Sequence, residues 1–207
     1  MVTLIRAFSG LHEPCAHRGP PFGNWNMEII IYRHAEPIVS SNEIISGHDF
    51  PLWVQRYNES GIYVNEFTGQ KEEVVYTSNL ERSFETGRLI GNNIIQNSLF
   101  RETEIPLIKF PAMRLKAKLW LAISRFLWLL GLQTKCESFK EAKQRAKRIV
   151  ERIELQLLED QRIVIVGHGF LNKLIKKQLL RQGWLLERAK DQNGFLSRMI
   201  FKTEPVA

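Results

Sequence analysis

Two histidines in this chain of 207 residues lie two positions after short apolar runs that are rich in β-branched residues. The run 29–32 leads into Arg33 and His34, and the run 163–166 leads into His168, which lies between two glycines. Such runs predict buried strands, and ligands bind where the strands of an open α/β sheet end. Guanidinium suits phosphate, and imidazole serves as a nucleophile or an acid–base group near neutral pH. The two segments therefore indicate an anion site at a sheet edge.

A third segment adds a second arginine. Residues 74–77 predict another buried strand, and Ser78 or Asn79 can cap the helix that follows. Arg82 falls in the first turn of that helix, where a cation opposes the helix dipole unless an anion is bound. The alternative is an exposed helix arginine. If the three strands are parallel neighbours, two guanidiniums and two imidazoles enclose one anion-sized space, which suits phosphoryl transfer.

Three motifs stand in one order along the chain: Arg33-His34-Ala35-Glu36, Ser78-x-x-x-Arg82-x-x-x-Thr86-Gly87 and Gly167-His168-Gly169. With them the chain resembles the histidine phosphatase superfamily, of phosphoglycerate-mutase-like fold, over roughly residues 27–204. The resemblance implies an α/β fold: a three-layer α/β/α sandwich with a mostly parallel central sheet. It also implies that the first histidine is phosphorylated, while the other basic groups hold the phosphoryl group. The nucleophile would then be His34, and the phosphate clamp would be Arg33, Arg82 and His168.

The leaving alkoxide needs a proton, so the pocket should contain a carboxylic acid. The family supplies a Glu or Asp between the second arginine and the second histidine, and Phe100-Arg101-Glu102 matches that context best. We expect Glu102 to be the proton donor, with Glu104 as the alternative, and either could instead be a surface carboxylate. Water would then hydrolyse the phosphohistidine. The resemblance implies no metal and no organic cofactor.

The leading functional hypothesis is a phosphatase, a histidine acid phosphatase-type phosphomonoesterase, that acts on a phosphorylated small molecule. A mutase is the nearest alternative, although mutases of this family carry longer insertions and a C-terminal lid. A phosphohistidine-protein phosphatase is a further alternative. A pseudoenzyme that binds phosphate without turnover is the candidate from another class. It is motivated by Ala35, where most of the family has glycine, and by the open choice of acid.

Composition limits the partners. The formal charge of +7 and the pI near 9.5 favour anionic partners, although a basic, solvated surface explains them equally well. The basic residues after Ser138 lack interleaved aromatic residues, so we expect no nucleic-acid binding. Cys15 and Cys136 provide neither a disulfide framework nor metal-ligand spacing, which fits a reduced, cytoplasmic setting. The sequence leaves the oligomeric state open.

Two segments stand apart from the expected domain of residues 27–207. Residues 1–26 are rich in proline and glycine and predict an irregular extension. Met27 directly precedes the first strand, so it is a candidate natural start, and a tail that docks or targets is the competing interpretation. Residues 111–132 predict an apolar helical insertion, and its nearly all-apolar part, 119–132, is too short to span a bilayer. We expect it to be buried as a lid over the site, with peripheral membrane or partner contact through 119–132 as the alternative.

Other patterns predict ordinary elements. Residues 51–58 predict a short helix, and Ser138 with Glu141 forms a capping box at the start of a long helix. Residues 171–180 predict a helix after the second histidine, and residues 195–201 predict a last strand.

Overall fold

The computed structural model describes residues 27–63, 67, 69, 71–107, 112–132, 136–190 and 194–203. The expected extension over 1–26 lies outside these residues. The strands are Glu28–Arg33 (β1), Ile44–Ser46 (β2), Glu72–Thr77 (β3), Gly91–Gln96 (β4), Arg114–Lys116 (β5), Arg162–Gly167 (β6), Leu185–Lys190 (β7) and Arg198–Lys202 (β8). The helices are Phe50–Glu59 (α1), Glu81–Ile90 (α2), Ala117–Leu129 (α3), Phe139–Asp160 (α4) and Gly169–Arg181 (α5), with a 3₁₀ turn at Ser98–Phe100.

The main sheet has the strand order β4-β3-β6-β1-β8-β7. The pairs β3–β4, β3–β6 and β1–β6 are parallel, whereas β8 runs antiparallel to both of its neighbours. The mostly parallel sheet expected from the sequence is therefore confirmed. Two short strands, β2 and β5, form a separate antiparallel pair.

Helices cover both faces of the main sheet. In β1, Ile29 and Ile31 belong to the apolar cluster that α4 and α5 complete, whereas Ile30 and Tyr32 belong to the cluster that includes Ile90 of α2. Successive residues of a strand point to opposite faces, so the unbroken apolar run of β1 is what a sheet covered on both sides requires. The α/β/α sandwich is confirmed.

The long helix α4 has the predicted start. Ser138 Oγ accepts from the N–H of Glu141, and the Glu141 carboxylate accepts from the N–H of Ser138, so the capping box is complete. The buried face follows the helical period from Ala142 to Leu157 and packs on the sheet. The cap satisfies N–H groups that the helix itself leaves free, which fixes where α4 begins.

The apolar insertion forms part of a third cluster, which lies apart from the main sheet. Ala117 and Trp120 of α3 pack with Phe50 and Trp53 of α1 and with Ile45 of β2. The helix is only half buried, because several of its large apolar side chains remain exposed. The expectation of full burial is therefore wrong for the outer face of α3, although its inner face does pack over the rest of the chain. No helix in the described part of the chain is long and apolar enough to cross a bilayer.

Five strands differ from the sequence-based expectation. The strands β2, β4, β5 and β7 were not predicted, and β5 occupies part of the segment that was expected to be helical. The last strand begins at Arg198, not at residue 195, because Leu196 has a φ of 55° and turns the chain out of the extended conformation.

Helix α2 approaches β3 so closely that position 87 has no room for a side chain. A Cβ on Gly87 would collide with Cγ2 of Thr77. Glycine destabilises a helix by about 1 kcal/mol relative to alanine. The glycine at this position therefore weakens α2 itself but allows the helix to pack closely on β3. The close packing holds the start of α2, with Arg82, against the end of β3.

We predict that the sign of the Gly87→Ala effect depends on residue 77. With Thr77 present, overpacking costs roughly 1–3 kcal/mol and outweighs the helix-propensity gain, so the free energy of unfolding should fall. In a Thr77→Ser background, which lacks Cγ2 and keeps the hydroxyl, the same change should stabilise by up to about 1 kcal/mol. Urea unfolding of the four proteins measures both values. Equal effects in the two backgrounds would contradict the close-packing explanation.

Candidate active site

The register of the central strands brings the three motifs together. Arg33 of β1 pairs with Gly167 of β6, and Thr77 of β3 pairs with Val166 of β6. The N–H of His34 donates to the carbonyl oxygen of Gly167 at 3.0 Å, which carries the pairing one residue past β1. The residues that follow each strand therefore lie side by side at the carboxyl edge of the sheet, as the sequence predicts.

His34 is buried, with only 3% of its surface exposed, and the centroid of its ring lies 5.1 Å from that of His168. Its Nδ1 lies 2.7 Å from the carbonyl oxygen of Ala35, which can only accept, so Nδ1 carries the proton and Nε2 keeps a lone pair. Burial, and then the Arg82 guanidinium, hold the pKa of His34 well below its ordinary value, and Arg33 acts in the same direction. The hydrogen bond to Ala35 opposes this shift but does not reverse it. The ring is therefore neutral near neutral pH, and its Nε2 has a lone pair available.

His168 is fully buried beside it, and its Nε2 lies 2.7 Å from Oγ of Ser78. Burial, followed by the charges of neighbouring basic groups, holds the pKa of His168 well below its ordinary value, so this ring is neutral as well. Ser78 does not cap α2 as expected, since the helix begins after Leu80 without a side-chain cap. Its hydroxyl is used instead for His168 and for the N–H of Leu80. Nδ1 of His168 is buried and has no hydrogen-bond partner among the described residues.

Arg82 is buried, with 2% of its surface exposed, so the alternative of an exposed helix arginine is wrong. Its Nη1 donates to the carbonyl oxygen of Tyr57 at 2.9 Å, and its Cζ lies 4.7 Å from the centroid of the Tyr57 ring. No described carboxylate forms an ion pair with it. Its Nε is buried without a hydrogen-bond partner in the described part of the chain. Burial lowers the pKa of Arg82, and the more distant Glu102 carboxylate only partly opposes this shift. A buried cation without an ion pair is costly, and a bound anion would offset that cost.

The two glycines around His168 make room for side chains. A Cβ on Gly169 would lie 3.3 Å from Nε of Arg33, and one on Gly167 would collide with Oδ1 of Asn172. Arg33 also stacks on Phe195, with Cζ 4.5 Å from the centroid of the ring. The structural effect of the two glycines is therefore to admit these neighbouring side chains.

Ala35 fits the site without strain. It is fully buried, and the only described non-glycine residues with positive φ are Gln161 and Leu196. Its N–H donates to Oγ1 of Thr86 at 2.9 Å, and that hydroxyl donates to the carbonyl oxygen of Arg82 at 2.6 Å. The residue therefore links the end of β1 to α2.

Glu102 lines the same cleft and holds the start of α5. Its Oε2 accepts from the N–H of Phe170, and its Oε1 accepts from the N–H of Leu171, both at 3.0 Å. Oε1 also accepts from the N–H and the hydroxyl of Thr103, at 2.8 and 3.2 Å. Oε1 is therefore saturated, whereas Oε2 has capacity for one more partner. Glu104 is more exposed, and its Oε2 accepts from the N–H of Glu137 at 3.1 Å.

The cleft has a volume of about 1100 Å³, and most of the charge at its wall is positive. Its acidic lining residues in the described chain are Glu102 and Glu104. Helix α3 forms one wall, and the basic residues that line the cleft outside the motifs are Arg101, Lys118, Arg125, Lys173 and Lys176. Among the described residues no group of three or more His, Cys, Asp and Glu side chains could hold a metal ion.

Several supporting residues were not identified as site residues from the sequence. Tyr57 and Asn58 contact the guanidinium of Arg82, and Phe195 covers both Arg33 and His34. Asn172 donates from Nδ2 to the carbonyl oxygen of Tyr32 at 3.0 Å and so ties α5 to β1. Thr86 belongs to a recognised motif, but its bond to Ala35 could not be derived from spacing.

Solved structures with the same fold include enzymes that act on phosphate esters. A mutant phosphoserine phosphatase from Entamoeba histolytica, in complex with phosphoserine, is 16% identical, with a TM-score of 0.53 over 84% of this chain and 89% of that chain. Phosphoglycerate mutase from Bacillus anthracis strain Sterne is 14% identical, with a TM-score of 0.53 over 88% and 94%. A mycobacterial glucosyl-3-phosphoglycerate phosphatase is 17% identical, with a TM-score of 0.52 over 84% and 89%. At these identities the likeness concerns the fold alone.

No curated protein matches the chain by sequence. A family model does match: that of the histidine phosphatase superfamily, branch 1, over residues 29–204. This range contains all three motifs and every residue of the candidate site. The chain belongs to the histidine phosphatase superfamily.

Proposed function

We propose that this protein is a phosphomonoesterase that acts on a phosphorylated small molecule through a phosphohistidine at His34. The observation that carries the proposal is that a neutral imidazole lies beside a buried guanidinium that forms no ion pair among the described residues. His34 keeps a lone pair on Nε2, and Arg82 is buried beside it without a described carboxylate partner. A phosphate dianion would supply the missing negative charge and place its phosphorus at the nucleophile.

In the first step, the lone pair of His34 Nε2 forms a bond to phosphorus and the ester P–O bond breaks. Arg33, Arg82 and the Nδ1–H of His168 bind the oxygens of the transferring group, which spreads negative charge over them. Ser78 supports this tautomer of His168 when its hydroxyl donates to Nε2, because the ring proton then stands on Nδ1.

Glu102 supplies the proton for the leaving alkoxide. A proton on Oε2 can pass to the leaving oxygen, since Oε1 is occupied by three donors. In the second step, water attacks phosphorus, its proton passes to the Glu102 carboxylate, and the P–N bond breaks. The electron pair returns to Nε2, and inorganic phosphate leaves. These residues complete both steps without a metal or an organic cofactor.

The wall of the cleft supports a small anionic substrate. Two acidic residues line the cleft, and five basic residues line it in addition to those of the phosphate clamp. The related phosphatase structures bear names of small phosphate esters, phosphoserine and glucosyl-3-phosphoglycerate, which supports the same substrate class here. The low cysteine count supports a reducing, cytoplasmic environment.

Purified protein should hydrolyse p-nitrophenyl phosphate in the presence of EDTA, and His34→Ala should abolish the activity because it removes the proposed nucleophile. Arg82→Ala and His168→Ala should each lower kcat by about 10²–10³-fold, the range for loss of one transition-state donor. His48→Ala, which changes an exposed histidine outside the cleft, is the matched control. Activity that survives in His34→Ala would refute the mechanism, and inactive wild-type protein would favour the pseudoenzyme.

Glu102→Gln should slow esters with poor leaving groups far more than p-nitrophenyl phosphate, because p-nitrophenolate leaves without a proton. The measurement is kcat/KM for both ester types in wild type, Glu102→Gln and Glu104→Gln. Glu104→Gln is the matched control, since Glu104 also lines the cleft. If the leaving-group dependence appears in Glu104→Gln and not in Glu102→Gln, Glu104 is the acid.

The two buried imidazoles should make stability depend on pH. Both stay neutral when folded, because their pKa values lie well below 6.5, whereas the unfolded chain takes up protons near that value. The unfolded state therefore binds more protons below about pH 6.5, so the free energy of unfolding should fall on acidification. Each ring contributes a slope of up to about 1.4 kcal/mol per pH unit in that window and none well above it. Urea unfolding of wild type and of His34→Gln/His168→Gln checks this, since the double variant should have the flatter profile.

A further inference from the structure

The outer face of α3 carries a row of large, exposed apolar side chains. Leu119, Ile123, Phe126 and Leu130 are exposed by 45, 37, 60 and 61%. Their spacing of four, three and four residues places them on one side of the helix and its last turn. This outer row, defined by these four residues, is a contiguous apolar surface of the kind that marks an interaction site.

The outer row is distinct from the two other sides of α3. The buried side consists of Ala117, Trp120, Ser124 and Trp128. A third side lines the catalytic cleft with Lys118, Leu121, Ala122 and Arg125. None of the outer-row residues lines the cleft, so neither the fold nor the proposed chemistry accounts for their exposure.

The charge of this part of the chain indicates what covers the outer row. Between Glu104 and Glu137 the sequence has no acidic residue, and its basic residues are Lys109, Arg114, Lys116, Lys118, Arg125 and Lys135. Arg114 and Lys116 are exposed in β5, directly before α3. The only described acidic residue that contacts the start of α3 through its backbone, Glu43, is paired with Arg56. An apolar helix face whose own segment carries only basic charge is complementary to a surface with an apolar interior and an anionic outer layer.

We infer that the outer row of α3 docks on the surface of an anionic lipid bilayer. The helix has 13 residues, a length of about 20 Å, and would lie in the plane of the interface with its apolar face among the acyl chains. The exposed cations would contact anionic headgroups. A second copy of this chain fits less well, because two such segments would bring like charges together without an acidic partner.

Docking in this orientation has a consequence for the cleft. Lys118 lines the cleft and is the sequence neighbour of Leu119 in the outer row, so docking brings this part of the cleft wall close to the headgroup layer. The phosphatase would then work next to a membrane while its core stays in water. The docking itself rests on the outer row of α3 and on the exposed cations of β5, and it does not depend on the proposed activity.

The experiment is sedimentation of the full chain with vesicles of phosphatidylcholine, with and without phosphatidylglycerol. We expect binding to the anionic vesicles, weaker binding at high salt, and little binding to pure phosphatidylcholine. Ile123→Asp/Phe126→Asp should lower the partition coefficient by about tenfold or more, because two large apolar groups are lost and two negative charges are added.

The matched control is Leu155→Asp/Leu158→Asp on α4. This variant also replaces two exposed apolar residues by aspartate, at leucines that are exposed by 67 and 59%. It should bind the vesicles as the wild type does. Circular dichroism and thermal unfolding confirm that each variant is folded. The inference is overturned if wild type binds neither vesicle, if both variants lose binding equally, or if sedimentation shows a dimer that dissociates in the α3 variant.

Discussion

The parallel pairing of β6 with both β1 and β3 is the constraint on which the candidate site depends. It places His34, Ser78 and His168 at one edge of the sheet, although they lie far apart in the sequence. Each of the buried groups gathered there is unfavourable by itself: two imidazoles must stay neutral, and one guanidinium lacks a described carboxylate partner. The apolar strands, buried on both faces, supply the stability that offsets this cost.

The sequence predicted the elements whose patterns are strong. The apolar runs of β1, β3 and β6 and the capping box of α4 are local signals, and each marks its element correctly. The strand β4 was missed because its first half, Gly91-Asn92-Asn93, has low strand propensity, and its place is fixed by parallel pairing with β3. Likewise β7, Leu185–Lys190, has a composition that suits a helix and becomes a strand through pairing with β8. Tertiary context decided both elements.

In the candidate site, too, some features could be predicted from local sequence and others depend on tertiary structure. Its charged and ring groups were predicted because unusual residue types follow strands in family order. The groups that orient them were not, since many are backbone atoms: the carbonyl of Ala35 for His34 and that of Tyr57 for Arg82. A carbonyl group is present at every position, so no residue type marks it. The position of Glu102 was predicted, but its contacts with the start of α5 depend on how two distant segments meet.

Helix α3 illustrates why an apolar sequence does not by itself specify burial. Its residues are apolar nearly all round, and a helix of that kind in a small domain should be enclosed by other elements. The chain provides a partner for only one side, through α1 and β2, while a second side must remain open to the cleft. The remaining side has no cover among the described residues, yet it keeps large apolar residues where charged ones would cost nothing in folding. Contact with a lipid bilayer would explain why this side of α3 is apolar, because the exposed side chains would then be buried among acyl chains and not in contact with water.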